Sequence, residues 1–381
     1  MEDVRVLDLS WLLPGPFATT LLADLGADVI KVERPGDGDY MRTLHAETYQ
    51  VANRNKRSMT LDLKQPAGQQ VLHELVRDAD VVVEGFRPGV TERLRADYTT
   101  LSEINPRLVY CSLSGYGQDG PYRDRPGHDV SYVGVGGGMV APHDLRYPDA
   151  RGNSLPVGDL ASAMFAALSI TAALNQRERS GRGQYLDVSI TDCVASWSSI
   201  RLANLLWNQE PAVVRLSATG RAYEAADGKR LSISVTEDAF WEKLCRALDR
   251  QDWLADDRLA TQPGRIKHAQ ELLPQLEEIF KQRGRDEWLE HFDRFDVPCG
   301  PVHDAEGVIE DPHIRARGLV WEREDRDGRL RRVIGYPVKM SDNHPRWSQM
   351  PPELGEHTDD LLADAGFSAE EIDAFHRDGV V

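Results

Sequence analysis

The 381-residue chain is long enough to bury a sizeable core and to form two or three domains. Its formal net charge of −17 argues against nucleic acid and anionic membranes as partners, because both are bound by basic surfaces. The four cysteines are far apart, with no CxxC pair and no histidine at metal-ligand spacing, so neither a metal site nor a disulfide framework is expected.

The first part of the chain alternates between strand-like and helix-like segments. "VRVLDL" is β-like, "PFATTLLADLGA" has helical periodicity and "DVIKVE" is again β-like, which makes a βαβ unit. "SMTLDL", "DVVVEGF" and "LVYCSL" are short and apolar on both faces, as strands buried in a parallel sheet are. These segments predict a doubly wound α/β layer within a large domain over residues 1–200.

A long apolar helix is expected to begin at Leu160, with the sequence "LASAMFAALSITAAL". It is too short and too polar to span a bilayer, and the N-terminal "MEDVRVLDLS" has no basic segment leading into an apolar stretch. Together with the scattered cysteines, this favours a soluble, cytoplasmic protein. The strand "QYLDVSI" and a second helix follow.

The composition changes around "NQEPAVVRLSATG", so a linker is predicted over residues 201–220. "RAYEAADGKRLSISV" contains a DG turn typical of a hairpin, and "DAFWEKLCRAL" and "QELLPQLEEIFKQR" are amphipathic helices. They predict a smaller α+β domain over residues 221–308. Residues 309–381 are expected to return to the first domain with a strand and a terminal helix.

Several features could bind an anion. Gly15 and Pro16 stand between a strand and a helix, where free amides and the helix dipole attract negative charge. Basic residues recur after successive strands: Arg34, Arg54, Lys56, Arg57, Arg87 and Arg93. Because the carboxyl ends of parallel strands line one crevice, Arg34 and Arg87 are expected to face the same ligand. The alternative is an ordinary solvated charged surface.

The chain resembles a known family in several runs: "VRVLDLSWLLPGPFATTLLADLGADVIKVERPG", "NRNKRSMTLDLK", "VVVEGFRPGVTERL", "INPRLVYCSLSGYGQDGPYRDRPGHD", "RERSGRGQYLDVSITD", "VPCGPV" and "GEHTDDLL". They are similar to those of the family III coenzyme A transferases (CaiB/BaiF-like), a group that also contains the α-methylacyl-CoA racemases. The resemblance implies a Rossmann-like large domain completed by the C-terminal segment, a small middle domain and an interlocked homodimer.

The resemblance also implies an acyl-CoA substrate, with no cofactor beyond the coenzyme A that this substrate carries. Arg34, Arg87 and Arg93 match positions that hold its 3′-phospho-ADP. The residues expected to bind the substrate are Leu13, Pro14, Gly15, Arg34, Leu61, Leu63, Gly85, Phe86, Arg87, Val90, Arg93, Gly127, Asp129 and Tyr132.

Two reactions are compatible with the motifs of this family. Transferases resemble one another in using an aspartate, at the position of Asp159 in the VGD run Val157-Gly158-Asp159, as a nucleophile on the acyl carbonyl. Racemases pair that aspartate with the histidine of a GHD motif, here Gly127-His128-Asp129. Epimerising the carbon next to a thioester requires two groups of alternate protonation, and a histidine and a carboxylate can exchange those roles near neutrality. The GHD motif makes a 2-methylacyl-CoA racemase the leading hypothesis and CoA transfer the alternative.

Structural explanations compete with the catalytic ones. Asp159 could simply cap the helix beginning at Leu160, and the amides of that first turn could otherwise form an oxyanion hole. His128 could be a turn residue beside Pro126. The resemblance suggests that Glu237 supports the histidine from the other domain or a partner chain, although "TED" is also an ordinary helix start.

The chain departs from the family in two places: the first departure weakens the racemase hypothesis and the second weakens the transferase hypothesis. Racemases place glycines after the aspartate, where this chain has "LASAMF", and the glycine-rich loop of many transferases is not evident in "VVRLSATGRAY". The stretch "GVGGGMV", residues 134–140, could supply mobility instead. A third hypothesis is a CoA-binding protein without catalysis.

Overall fold

The computed structural model describes residues 1–137, 155–210 and 217–381. The described chain divides into two compact units. The first contains residues 1–137, 155–200 and 318–381, and the second contains residues 201–210 and 217–317. Within the described residues, the chain enters the second unit at Arg201 and returns to the first unit at Gly318, whereas the sequence predicted a return at residue 309.

The described part of the first unit contains a six-stranded sheet. Its strands are β1 (Arg5–Asp8), β2 (Asp28–Glu33), β3 (Lys56–Thr60), β4 (Val81–Glu84), β5 (Val109–Ser114) and β6 (Tyr185–Ser189). Every neighbouring pair is parallel, and the order is β3-β2-β1-β4-β5-β6. The strand order reverses between β1 and β4, and ligands of doubly wound sheets bind at such a point, beyond the carboxyl ends of the strands. The predicted α/β class with a parallel sheet is confirmed.

Helices cover both faces of this sheet. They are α1 (Pro14–Asp24), α2 (Met41–Leu44), α3 (Ala46–Ala52), α4 (Pro66–Arg77), α5 (Val90–Arg93), α6 (Tyr98–Ile104), α7 (Asp129–Val135), α8 (Val157–Ser180) and α9 (Ile190–Asn208). In β1, Val6 packs in one core cluster with Ala18 of α1 and Ala161 of α8. The next residue, Leu7, packs in the other cluster with Leu72 of α4. Alternate residues of a strand point to opposite faces, so the strands are apolar throughout because both faces are buried.

Helix α8 differs from the prediction. It has 24 residues and begins at Val157, not at Leu160. An 18-residue window of it is long and apolar enough to cross a membrane, so the expectation that this helix is too short and too polar is wrong. Ala161, Ala166 and Ile170 belong to the core between the sheet and α1, and 44% of the window is buried. A core helix with this composition satisfies the same test, so the helix alone is weak evidence for a membrane span.

The second unit combines a small antiparallel sheet with helices. The chain enters it near the end of α9, which continues to Asn208, into the predicted linker. The predicted hairpin is present as β7 (Gly220–Glu224) and β8 (Arg230–Ser234), and β9 (Cys299–Val302) extends it. The helices are α10 (Asp238–Ala247), α11 (Gln251–Leu254), α12 (Gln262–Lys267), α13 (Ala269–Phe280), α14 (Arg285–Asp293), α15 (Ala305–Glu310) and α16 (Pro312–Ala316), with a 3₁₀ turn at Asp257–Leu259. Trp241, Leu276 and Phe292 lie in its apolar core.

The C-terminal segment returns to the first unit. It forms a hairpin of β10 (Val320–Glu324) and β11 (Leu330–Ile334), followed by α17 (Thr358–Asp364) and α18 (Ala369–Arg377). Leu361, Leu362 and Val380 are buried in the same core cluster as Leu7. Asp62 N–H also donates to the Val380 carbonyl, at 2.7 Å, so the end of the chain is tied to the segment after β3.

Part of the glycine stretch at residues 134–140 and part of the segment "VVRLSATGRAY" lie outside the described residues.

Candidate active site

Buried charged side chains stabilise the turn between β1 and α1. The Lys31 ammonium donates to the Ser10 carbonyl at 2.9 Å and pairs with Asp39 at 3.0 Å, and both side chains are fully buried. Asp39 in turn accepts the N–H of Leu12, at 3.1 Å, and Leu12 has a left-handed φ of 67°. A non-glycine residue in this region is strained, so the surrounding contacts must hold it there. The turn that follows β1 is therefore held in one conformation by buried contacts.

The start of α1 is poorer in free amides than the sequence suggested. The helix begins at Pro14 and has a second proline at Pro16, so two of its first three residues lack an N–H. Gly15 lies against Ser10, where a Cβ would be 2.1 Å from the hydroxyl oxygen. This glycine is required by close packing. Only Gly15 retains an N–H among the first three helical residues, so the donor set is smaller than the sequence suggested, and anion binding at this turn stays a prediction.

Three of the predicted anion-binding cations are used in ion pairs within the fold. Each contacts an aspartate: Arg54 contacts Asp24, Lys56 contacts Asp8 and Arg57 contacts Asp28. Arg54 and Lys56 are also buried. Because β3 begins at Lys56, these residues lie at the amino end of that strand, away from the carboxyl edge. Both the predicted ligand contact and the alternative of a solvated surface are wrong for Arg54 and Lys56.

Arg34 does follow the carboxyl end of β2, and it lies among aromatic rings. Its guanidinium is 5.3 Å from the centroid of the Trp11 ring and 5.5 Å from that of Tyr40, and it pairs with exposed Asp37. Trp11 also lies 6.2 Å from the ring of Phe86, which follows β4. The turns after β1, β2 and β4 therefore meet where the strand order reverses. Trp11 and Tyr40 were not predicted, although "SWLLPG" places an aromatic residue in the first turn.

The remaining predicted substrate-binding residues fall into two groups. Those in the turns are partly or largely accessible at the same edge: Leu13, Pro14, Gly85, Phe86, Arg87, Val90 and Arg93. Leu61 and Leu63 are 2% and 8% exposed and pack in the core cluster on one face of the sheet.

Below Phe86, the Glu84 carboxylate accepts the Phe86 N–H at 2.8 Å and a hydrogen bond from the Ser112 hydroxyl. Burial raises the pKa of Glu84 to about 7.

Helices α7 and α8 meet at their amino ends. One carboxylate oxygen of Asp129, Oδ1, accepts the N–H of Gly158 at 2.7 Å and the N–H of Asp159 at 3.0 Å. This brings the GHD turn next to Asp159, whereas the predicted approach of the His128 imidazole to the Asp159 carboxylate stays a prediction. Asp129 was predicted to bind the substrate, but this oxygen of its carboxylate is occupied by backbone amides of α8.

Asp159 is the third residue of α8, so it does not cap the helix; that position belongs to Pro156. The explanation of Asp159 as an ordinary N-cap is therefore wrong. The predicted oxyanion hole is wrong as well, because Asp129 accepts the Gly158 and Asp159 amides and Leu160 N–H donates to the Pro156 carbonyl. The first turn of α8 is thus satisfied inside the protein.

The Asp159 carboxylate is half-buried, and within the described chain no hydrogen-bond donor or cation contacts its oxygens. Burial, and then the negative charge of Asp129, raise the pKa of Asp159 to about 7. Burial penalises the charged form of a carboxyl group and a neighbouring carboxylate repels it, so both causes act in the same direction. A carboxyl group with this proton affinity is a stronger base and nucleophile than an ordinary aspartate.

Tyr132 of α7 lies close enough to this carboxylate to be affected by its charge. The Tyr132 hydroxyl donates to the Gly127 carbonyl, and its ring lies 5.1 Å from the ring of Tyr116. Burial, Tyr116 and Asp159 raise the pKa of Tyr132 to about 12, while Arg87 lowers it. Asp159 and Arg87 therefore both lie close enough to Tyr132 to act electrostatically on its hydroxyl group. Tyr116 was not predicted to be part of this site.

His128 and Glu237 have simpler surroundings. His128 is exposed and immediately precedes α7, and its carbonyl accepts the Ser131 N–H at 2.8 Å. Its chain neighbour Asp129 contacts the backbone of Asp159, so the histidine lies in the same region. Glu237 precedes α10 in the second unit and its side chain makes no capping hydrogen bond. Its predicted contact with His128 stays a prediction.

The chain resembles proteins of known family over its whole length. It matches the model of CoA-transferase family III over residues 1–358. It is 31% identical over 415 residues to a formyl-CoA:oxalate CoA-transferase from Rhodopseudomonas palustris (strain HaA2), covering 100% of this chain and 97% of that protein. It is 34% identical over 385 residues to a succinate–glutarate CoA-transferase from Agrobacterium fabrum, covering 96% and 95%. A crystal structure of a CAIB/BAIF family protein from Brucella suis superposes with a TM-score of 0.83 at 31% identity, covering 95% and 98%.

The fold and these similarities define an α/β enzyme built on a six-stranded parallel sheet. The chain belongs to CoA-transferase family III. The family predicted from the sequence runs is therefore confirmed, and the relatives favour CoA transfer over racemisation.

Proposed function

We propose that this protein transfers coenzyme A from an acyl thioester to a second carboxylic acid, with Asp159 as the nucleophile. The observation that carries the proposal is the Asp159 carboxylate itself. It is half-buried beside the negative Asp129, and no cation of the described chain contacts it. A structural aspartate in a protein interior is normally paired or hydrogen-bonded, whereas a nucleophile must keep its oxygens accessible to the substrate.

In the proposed reaction, the enzyme itself forms a thioester with coenzyme A as an intermediate between the two acyl thioesters. Asp159 Oδ attacks the thioester carbonyl, the C–S bond breaks and coenzyme A leaves as a thiolate, which gives a mixed anhydride. The thiolate then attacks Cγ of Asp159, which releases the first acid and forms an aspartyl-CoA thioester. The second carboxylate attacks this thioester to form a new anhydride. Attack of the thiolate on the new acyl carbonyl then regenerates Asp159. No net proton transfer or external oxidant is needed.

The second acid is proposed to be a small dicarboxylic acid. The names of the two relatives above include oxalate, succinate and glutarate. The thioester itself is proposed to be bound by the turns after β1, β2 and β4, where Arg34 and Arg87 supply positive charge near aromatic rings. A planar guanidinium suits phosphate oxygens and also stacks on rings, which agrees with a nucleotide-bearing substrate.

The test is exchange of a labelled acid into its thioester. Succinyl-CoA is incubated with ¹⁴C-labelled oxalate, succinate or glutarate, and labelled thioester is expected with the wild type. Asp159→Asn and Asp159→Ala are expected to reduce exchange by at least about 10³-fold, because the covalent route is lost. Hydroxylamine during turnover should convert Asp159 into its hydroxamate, which peptide mass spectrometry detects. Exchange that survives in Asp159→Ala would contradict the proposal.

Racemisation of a 2-methylacyl-CoA is the second candidate, and the GHD turn beside Asp159 favours it. Incubation in heavy water tests it directly, since two-base proton transfer exchanges the C2 proton for deuterium. His128→Gln separates the candidates. It is expected to lower racemisation by about 10²-fold or more if His128 is a general base, and to leave CoA exchange largely intact. If the wild type incorporates no deuterium at C2, racemisation is excluded, and the proposal of CoA transfer is unaffected.

A further inference from the structure

Asp129 connects two elements that are far apart in sequence and adjacent in the fold. It is the first residue of α7, and its Oδ1 accepts two consecutive amides of α8. Those amides belong to the second and third helical residues, whose N–H groups have no partner within a helix. A side chain of the same segment usually satisfies them, but Pro156 stands at the N-cap position and offers no side-chain acceptor. Asp129 therefore performs the capping from another helix.

The fit between the two helices is close at this point. A Cβ placed on Gly158 would lie 2.9 Å from Asp129 Oδ1, 3.1 Å from Ile190 and 3.2 Å from Val133. The glycine of the VGD motif thus lets the carboxylate approach the backbone of α8. The contact also fixes the peptide unit that carries Asp159, since the second hydrogen bond is made to the N–H of Asp159 itself.

We infer that Asp129 is a positioning residue: its carboxylate fastens the first turn of α8 to α7 and holds the Asp159 carboxylate in the crevice where the thioester arrives. This inference rests on the proposed role of Asp159 as nucleophile. It replaces the prediction that Asp129 binds the substrate, because its Oδ1 is held by the two amides.

The same contact has an electrostatic consequence. Among the described residues, Asp129 acts on Asp159, and Asp159 and Arg87 act on Tyr132 of α7. His128 immediately precedes α7 in the same region. Burial and Asp129 raise the pKa of Asp159, to about 7. The active form is the carboxylate, so transfer is expected to increase as the pH rises through about 7. Removing the charge of Asp129 should move this midpoint to lower pH.

Two substitutions separate position from charge. Asp129→Asn keeps an oxygen that can accept both amides and removes the charge, so the pH midpoint should fall by about one unit with a small loss in kcat. Asp129→Ala removes the acceptor, and kcat should fall by about 10²-fold, because a small misplacement of a reacting group has an effect of that size. KM for the thioester should change little in both variants. Asp124→Asn is the matched control, since its side chain is 80% exposed in the same loop, and it should match the wild type.

A measurement without substrate makes the two proposals distinguishable. The protein is labelled with ¹³Cγ-aspartate, and the side-chain carboxyl resonance of Asp159 is assigned by its loss in Asp159→Asn. The chemical shift of this resonance reports the titration of the Asp159 carboxyl group in the protein without substrate. A lower midpoint in Asp129→Asn would support the inference even if no CoA exchange is found with any acid, an outcome that would reject only the proposed function. Three results would overturn the inference about Asp129. They are an unchanged kcat in a folded Asp129→Ala, an effect of that substitution confined to a rise in KM, and an unchanged pH midpoint in Asp129→Asn.

Discussion

At the scale of single residues, Asp159 was predicted from its motif, and its environment was not. The VGD run identifies the aspartate, but its chemical state depends on a carboxylate thirty residues away and on burial under other segments. For the three ion-paired cations, the sequence suggested a ligand contact, but the fold provides aspartate partners instead. Arg54, Lys56 and Arg57 follow one another closely in a basic run, and only the fold reveals that aspartates of other elements neutralise them.

Glu84 provides a prediction about stability and pH. Its carboxyl group is buried, and burial raises its pKa from 4.5 to about 7, despite the hydrogen bonds from Ser112 and Phe86, which lower it. A group whose pKa is raised by folding contributes stability that is complete below its unfolded pKa and is lost as the pH rises to its folded pKa. The loss between pH 4.5 and about 7 is on the order of 3 kcal/mol.

Replacing Glu84 by Gln removes this ionisation and keeps an oxygen acceptor. The melting temperature of Glu84→Gln relative to the wild type should therefore increase as the pH rises from about 5 to about 8. Thermal unfolding at several pH values measures this difference. Glu103→Gln, at an exposed glutamate of α6, is the control and should show a constant difference. A constant difference for Glu84→Gln as well would mean that the Glu84 carboxyl group titrates like an exposed one.

At the scale of elements, the strands and most helices were predictable because their apolar patterns are local. The start of α8 was not. The sequence places an aspartate, a strong N-cap former, just before Leu160, and this suggested that the helix begins there. The helix instead begins three residues earlier, because Asp129 supplies the missing cap from α7. A cap supplied through space leaves no signal in the local sequence.

The contact between α7 and α8 predicts opposite effects for two glycines. Gly158→Ala should lower stability by about 1–3 kcal/mol, since the new methyl group would lie within 3.2 Å of three side chains that must move. It should also reduce CoA exchange, because the movement separates Asp129 from the amide of Asp159. Gly134→Ala, inside α7 with open space around it, should be neutral or stabilising by up to about 1 kcal/mol. Denaturant unfolding and exchange assays of the pair measure both effects.

If Gly158→Ala were as stable and as active as Gly134→Ala, the close approach of the two helices would have no energetic importance. Equal loss in both variants would point instead to a general sensitivity of α7 and α8 to substitution.

At the scale of the whole molecule, the return of the chain to the first unit could be anticipated only in outline. A return strand and one terminal helix were predicted, whereas the structure has a hairpin and two helices. The burial of Leu361 and Val380 beside β1 and β3 depends on contacts across some 300 residues of sequence. Amphipathic periodicity shows that a helix has an apolar face and does not show which part of the protein that face contacts.

The homodimer implied by the family resemblance remains a prediction, and the exposed apolar residues of α8 and α9 support it. Leu168 and Ile200 are 65% and 83% exposed, and Trp197, near Phe165 of α8, is 48% exposed. Large exposed apolar side chains on adjacent helices are typical of surfaces that another chain covers. Light scattering during gel filtration should therefore give twice the chain mass of 42.7 kDa.

Two charged substitutions test whether this surface forms the dimer. Leu168→Glu and Ile200→Glu each place a carboxylate where an apolar contact is expected, and burying it unpaired is costly enough to favour the monomer. Leu330→Glu, at a residue of β11 that is 53% exposed, changes charge and size equally and should remain dimeric. A wild type that elutes as a 42.7 kDa monomer at micromolar concentration would contradict the dimer. Charged variants that stay dimeric would place its interface elsewhere on the chain, because two buried carboxylates per dimer could not be tolerated without a measurable shift toward the monomer.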